Sequence, residues 1–162
     1  MADTHESWSA PEPSDTLKPL GRLVGTWELS GDSSGTVTYR WMEGGFFLIQ
    51  DVDITVFGHP VRATEYIGHL RPFGQAPSAD IHSWVFDTQG NTLDYVYELE
   101  GDTLTIWGGF KGSPAYFKGT FTDDDTNEGS WVYPGGGGYS SIMKRTKRST
   151  HEPTSRPSTI ET

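Results

Sequence analysis

The chain has 162 residues, no cysteine, and 12 Lys and Arg against 22 Asp and Glu, which gives a formal net charge of -10. Without cysteine there is no disulfide framework and no thiolate chemistry. The acidic balance argues against a nucleic-acid surface, because phosphate binding requires clustered Lys and Arg. No apolar run approaches the ~20 residues of a membrane-spanning helix, and the N terminus lacks a signal-peptide pattern. We therefore expect a soluble cytoplasmic protein with no nucleic-acid or membrane partner.

Composition divides the chain into one core and two tails. All 20 glycines, and every aromatic residue except Trp8, lie in residues 17–146. Residues 1–16 and 147–162 are poor in apolar side chains and rich in charged residues, Ser, Thr and Pro, so we expect both tails to be disordered. The core of about 130 residues is long enough to bury a sizeable interior as a single domain.

The core carries ten short segments in which β-branched and aromatic residues alternate with polar ones, a pattern typical of strands. Gly, Asp, Asn and Pro separate these segments and predict tight hairpins. One short helix is expected over residues 14–20, with Ser14 as its cap and Pro19 limiting its length. The predicted strands cover residues 23–30, 35–42, 46–54, 61–69, 80–86, 92–100, 103–109, 115–121, 129–133 and 139–146.

Ten hairpin-connected strands with almost no helix leave two sheet edges that must be protected. Closing the sheet on itself removes both edges, which predicts an all-β fold: a closed antiparallel up-and-down β-barrel of about ten strands, with the short N-terminal helix as a plug. A barrel of this size has room for filling side chains or for one small ligand. The alternative is a two-sheet sandwich, whose facing side chains interdigitate and leave no cavity.

Several segments resemble a known family. Residues 23–27, Leu-Val-Gly-Thr-Trp, resemble the Gly-x-Trp signature that opens the first strand of lipocalins and their calycin relatives, including nitrobindin. The order of the segments 40–47, 66–69, 84–90 and 143–146 is similar to that of an uncharacterised bacterial family of lipocalin-like domains. The resemblance covers the core and implies a calycin-type barrel, but it implies no particular reaction, because one fold hosts many functions.

The first strand also has a physical interpretation. A large ring such as Trp27 near one end of a barrel fills its bottom, and a cation from the last strand, Arg145 or Lys144, can lie across the ring face. Gly25 would allow a neighbouring backbone to approach closely. We therefore assign Trp27 and Arg145 to stabilising the barrel and not to ligand binding.

Alternation along each strand indicates which residues face the interior. On the sixth strand Tyr95 and Tyr97 share a face with two leucines, and on the third strand Gln50 shares a face with aliphatic residues. Tyrosine is informative because a sealed apolar core usually uses Leu and Phe, which need no hydroxyl partner. For residues 61–69 the inner face stays open. The predicted ligand-binding residues are Tyr39, Trp41, Gln50, Trp84, Tyr95, Tyr97, Trp107 and Trp131.

These side chains predict the binding of a small hydrophobic molecule, aromatic or polyene-like, inside the barrel. The alternative is that the rings pack against each other and fill the interior. A further hypothesis is a dimeric interaction module without ligand, in which Phe47 and Ile49 on the outer face form a homodimer contact.

A rival hypothesis is a cofactor-independent cyclase or isomerase acting in the same cavity. His82 would act as acid or base and Tyr95 or Tyr97 as hydrogen-bond donor, with Glu65 and Arg40 as further possibilities if their strands turn the other way.

The sequence carries no metal-ligand motif, and we expect neither a metal nor a cofactor. His5 and His151 lie in the tails, and His59 precedes a proline in a predicted turn. Nitrobindin-like relatives hold haem through a histidine near the chain end, whereas the last predicted strand here contains none.

Overall fold

The computed structural model describes residues 10–148, and they form a closed barrel of ten antiparallel strands, as the sequence predicts. The predicted tails fall mainly on residues 1–9 and 149–162, which lie outside the described residues together with Trp8, His5 and His151. The strands are β1 (Gly25–Gly31), β2 (Ser33–Trp41), β3 (Leu48–Val56), β4 (His59–His69), β5 (Ile81–Asp87), β6 (Thr92–Glu100), β7 (Thr103–Gly108), β8 (Tyr116–Asp123), β9 (Thr126–Val132) and β10 (Tyr139–Lys147).

Each strand pairs with the next one along the chain, and β10 pairs with β1 to close the sheet. In this closing pair Trp27 lies opposite Arg145 and Leu29 opposite Met143. Closure leaves no sheet edge exposed, so the alternative of a two-sheet sandwich is excluded. Within residues 10–148, no helix has both the length and the apolar character needed to cross a membrane.

The N-terminal segment closes one end of the barrel, called here the plugged end. Leu17, Leu20 and Leu23 are buried against Trp27, whose indole N–H donates a 2.7 Å hydrogen bond to the carbonyl oxygen of Leu23. The guanidinium of Arg145 lies 4.5 Å from the centre of the Trp27 ring. The cation predicted to cover this ring is therefore confirmed, and it is supplied by β10.

Gly25 lies where β1 meets β10 at the plugged end. Its backbone adopts a positive φ of 130°, and a Cβ at this position would lie 2.5 Å from the carbonyl oxygen of Lys147. Any larger side chain would push the two strands apart. The predicted close approach of a neighbouring backbone is confirmed, and it allows β10 to pack directly beside β1.

The plugging segment differs from the predicted helix over residues 14–20. A turn at residues 15–17 comes first, and a 3-10 helix follows at Lys18–Leu23. Ser14 caps the turn, because its hydroxyl accepts a 3.1 Å hydrogen bond from the backbone N–H of Leu17. Proline near the start of the helix removes a backbone donor, which explains why regular α-helix does not extend across this segment.

Candidate functional site

A cavity of about 200 Å³ occupies the barrel interior beyond the plug. It extends toward the open end of the barrel, where the β5–β6 turn lies and where Leu93 is 44% exposed. Its apolar lining consists of Leu29, Val37, Val52, Ile54, Val61, Ala63, Val85, Leu93, Leu104, Ile106, Phe117, Trp131 and Met143. Its polar lining consists of Tyr39, Gln50, Glu65, Tyr95, Tyr97, Asn127, Tyr139 and Ser141.

Five of the eight predicted ligand-binding residues line this cavity together. Tyr39 lies beside Gln50 in the β2–β3 register, and Tyr95 and Tyr97 come from β6. Trp131 of β9 completes the set, with its ring centre 5.7 Å from that of Tyr95. The alternation on β6 and β3 therefore identifies the inner faces of these strands correctly, and the rings leave space between them.

The prediction that Trp41 lines the cavity is wrong. Its ring lies at the plugged end, where a Cβ added to Gly21 would be 3.5 Å from the indole. Trp41 occupies the last position of β2 and therefore packs against the 3-10 helix, below the hollow part of the barrel. Its role is to fill the plugged end.

The interior positions predicted for Trp84, Trp107 and His82 are wrong. On β5 the inner face carries Ile81, Ser83 and Val85, so His82 and Trp84 lie on the outside, where Trp84 is 42% exposed. On β7 the inner face carries Ile106, while Trp107 packs on Tyr116 outside the barrel, with ring centres 5.3 Å apart.

A polar contact between neighbouring strands explains why Trp84 faces outward on β5. Ser83 must face inward to hydrogen bond to a carboxylate on β4, and this fixes Trp84 on the opposite face beside Tyr66 and Asp94. Aromatic size alone is therefore a poor guide to the inner face of this strand.

Glu65 is the central polar group of the cavity. The inner face of β4, which the sequence left open, carries Val61, Ala63 and Glu65, and the Glu65 side chain is only 3% exposed. The Tyr97 hydroxyl donates a 2.6 Å hydrogen bond to Glu65 Oε1, and the Ser83 hydroxyl donates a 2.7 Å hydrogen bond to Oε2. Two strands on one side of Glu65 thus hold its carboxyl group in a fixed orientation.

The surroundings of Glu65 combine apolar side chains with neutral polar groups, and the described residues place no cation there. Within residues 10–148, no Lys, Arg or His lines the cavity. Burial raises the pKa of Glu65 to about 7, although the hydrogen bonds from Tyr97 and Ser83 act in the opposite direction. Burial, and the negative charge of Glu65, also raise the pKa of Tyr39 and Tyr97, so both phenols stay protonated as hydrogen-bond donors.

Asn127 is a second buried polar group in the lining. It is 1% exposed, and its amide Nδ2 has no hydrogen-bond partner among the described residues. Asn127 lies on β9, which is five strands away from β4 in either direction around the barrel. The cavity therefore has a carboxyl group on one wall and a buried amide group on the opposite one.

The remaining sequence candidates lie elsewhere. Arg40 is on the outer face, 4.0 Å from Asp51. Phe47 is exposed but Ile49 is only 4% exposed, so these two residues do not form the exposed apolar pair that the dimer hypothesis requires. Residues 10–148 contain no cluster of three or more His, Asp or Glu that could hold a metal ion.

His69 takes part in a separate hydrogen-bond network at the plugged end. The Ser14 hydroxyl lies 2.6 Å from His69 Nε2, and His69 Nδ1 lies 2.7 Å from the carbonyl oxygen of Ser78. In the neutral imidazole, Nδ1 donates to that carbonyl, and Nε2 then accepts from the Ser14 hydroxyl. Both ring nitrogens are engaged, so His69 ties the N-terminal segment to the β4–β5 connection.

No protein-family model matches the chain, and no curated protein matches it in sequence. The barrel fold agrees with the resemblance to lipocalin-like domains, and membership of such a family stays a prediction. Four polar residues of the cavity lining were not predicted as ligand-binding: Glu65, Asn127, Tyr139 and Ser141. The available signal was a single acid, Glu65, in register with the aliphatic residues of β4.

Proposed function

We propose that this protein binds a small hydrophobic molecule containing a ring in the barrel cavity. The observation that supports the proposal is the hollow itself, an apolar interior with a few convergent polar groups. This combination is typical of small-molecule sites, where apolar walls supply affinity and a few polar atoms fix orientation. Filling side chains would remove the hollow, but here the rings of Tyr95 and Trp131 border it.

The volume limits the size of the guest. An engineered apolar cavity of about 150 Å³ accepts benzene, whereas pockets for drug-sized ligands have about 300 Å³ or more. A cavity of about 200 Å³ lies between these limits. It favours one substituted or fused aromatic ring over an extended polyene.

Ligand binding can be tested with a cavity-filling variant. Tryptophan fluorescence should change saturably with a small aromatic ligand, because Trp131 lines the cavity. Ala63→Phe places a ring inside the hollow and should abolish the response. The matched control is Arg62→Phe, which adds the same ring one residue away on the exposed outer face and should bind like the parent protein. No saturable response across a panel of small aromatics would contradict the proposal.

A cyclase or isomerase in the same cavity is a second candidate, and one observation favours it. His82 is not available as a base, but the pKa of Glu65 near 7 gives this group access to both protonation states at neutral pH. Exchange of the α-protons of a bound aryl ketone, such as 1-indanone, in deuterated water tests the idea. Exchange should be lost in Glu65→Gln, while binding of the ketone is retained. Equal exchange in this variant would exclude Glu65 as the base.

A further inference from the structure

Among residues 10–148, no cationic side chain pairs with the buried carboxyl group of Glu65. Two hydrogen bonds occupy one acceptor position on each oxygen, and a carboxylate offers about four such positions. A buried carboxylate without a cation is costly, so structures normally pair it or keep it protonated. The remaining acceptor positions therefore indicate what a guest must offer.

Every strand packed against Glu65 lacks a cation on its inner face. The titratable groups around it are Tyr39 from β2, and Tyr95 and Tyr97 from β6. Gln50 of β3 lies opposite in the register, and β5 contributes only Ser83. Among the described residues, a positive charge for Glu65 can come only from the bound molecule.

We propose that the molecule held in this cavity is a compact aromatic amine or other basic nitrogen compound, whose protonated nitrogen pairs with Glu65. This inference rests on the proposed binding function and specifies its ligand class. The tyrosines are suited to the same task, because electron-rich ring faces attract cations. An anionic ligand is disfavoured, because its charge would add to that of Glu65.

Three probes of nearly equal shape can test the assignment of the amine: benzylamine, benzyl alcohol and ethylbenzene. Binding is measured by tryptophan fluorescence and by calorimetry. At about pH 8, benzylamine should bind about tenfold or more tightly than ethylbenzene, with benzyl alcohol between them. Because Glu65 must lose its proton to pair with the ammonium group, benzylamine should bind about tenfold more weakly at about pH 6 and release close to one proton.

The variant Glu65→Gln keeps the size of the side chain and removes its charge. It should lose the preference for benzylamine and the proton release, while ethylbenzene still binds. Glu28→Gln, which removes an exposed carboxyl on the outer face of β1, is the matched control and should leave both unchanged. The pH dependence in the parent protein keeps the test valid even if Glu65→Gln folds poorly.

The outcomes separate this inference from the proposed function. If ethylbenzene binds as tightly as benzylamine at about pH 8, or benzylamine releases no proton at about pH 6, the amine assignment is wrong while the binding function stands. If none of the three probes, nor any other small aromatic, gives a saturable response, the binding function fails and the amine assignment fails with it.

Discussion

The two halves of the barrel interior are built from the same strands but differ in packing. At the plugged end, Leu20, Leu23 and Trp27 are completely or almost completely buried, and the indole N–H has a backbone partner. In the hollow half, Tyr95 and Trp131 are only partly buried, and polar groups face the cavity. Close packing and open space therefore lie at opposite ends of the barrel interior.

Side-chain volume explains the difference. At the plugged end the inward positions carry large residues, such as Trp41 on β2 and Phe121 on β8. In the hollow half, β4 and β5 present Val61, Ala63 and Val85 inward. Because a barrel of ten strands has a fixed circumference, small side chains on neighbouring strands leave a void that the facing rings do not fill.

Removing the central ring of the plugged end should give the largest effect. Trp27→Ala leaves a cavity against Leu23 and Phe121 and removes the ring beneath Arg145, so we expect a loss of about 3–5 kcal/mol in the free energy of unfolding. Urea denaturation measures this loss. The folded fraction of Trp27→Ala should bind a small aromatic molecule with the affinity of the parent protein.

The matched control is Trp84→Ala, which removes an indole of the same size from the outer face. It should cost less than about 1 kcal/mol, because surface substitutions away from special features change stability little. A comparable loss in the two variants would show that the plug is not the stabilising half of the barrel.

Glu65, in the hollow half, should make the free energy of unfolding depend on pH. The unfolded chain releases the Glu65 proton near the usual pKa of 4.5, whereas the folded protein retains it up to about 7. The folded state therefore binds more protons between these values, and the free energy of unfolding should fall as pH rises through this window. The total loss is on the order of 3 kcal/mol, and below the window this loss is absent.

Denaturation of the ligand-free protein at a series of pH values measures this slope. Glu65→Gln should flatten it, and Glu28→Gln on the outer face should not. An unchanged slope in Glu65→Gln would show that Glu65 titrates similarly in the folded and unfolded states, and the hollow half would then not differ from the plugged half in electrostatics.

Tyr97→Phe should have a smaller effect of about 1–3 kcal/mol, because it leaves Glu65 Oε1 without its donor in a buried site. The lost hydrogen bond lowered the pKa of Glu65, so the pKa should rise further. The pH-dependent loss of stability should therefore extend to higher pH than in the parent protein. A shift to lower pH would contradict the assigned direction of this hydrogen bond.

Much of the fold was predictable because it depends on local patterns. Strand β6 was predicted with its observed bounds, and Trp27 with Arg145 across its face was expected from their positions in the first and last strands. The inner face of β5 was not predictable from ring size, because Ser83 faces inward to serve a carboxyl on a neighbouring strand. The hydrogen-bond partners of Glu65 depend on the register between strands, which alternation within a single strand does not specify.

The smallest effect is expected for the hydrogen bond between Ser14 of the plugging segment and His69 of the barrel. Ser14→Ala removes the hydroxyl that caps the turn and donates to His69, while the buried leucines of the plug remain in place. We expect a loss of about 0.5–1 kcal/mol, at the lower end of the range for capping residues, because the site is only partly buried. Proteolysis at the N-terminal segment should become faster, whereas binding of small aromatics should stay unchanged. A change in affinity would show that the plug and the hollow act as one unit, contrary to the division argued from their packing.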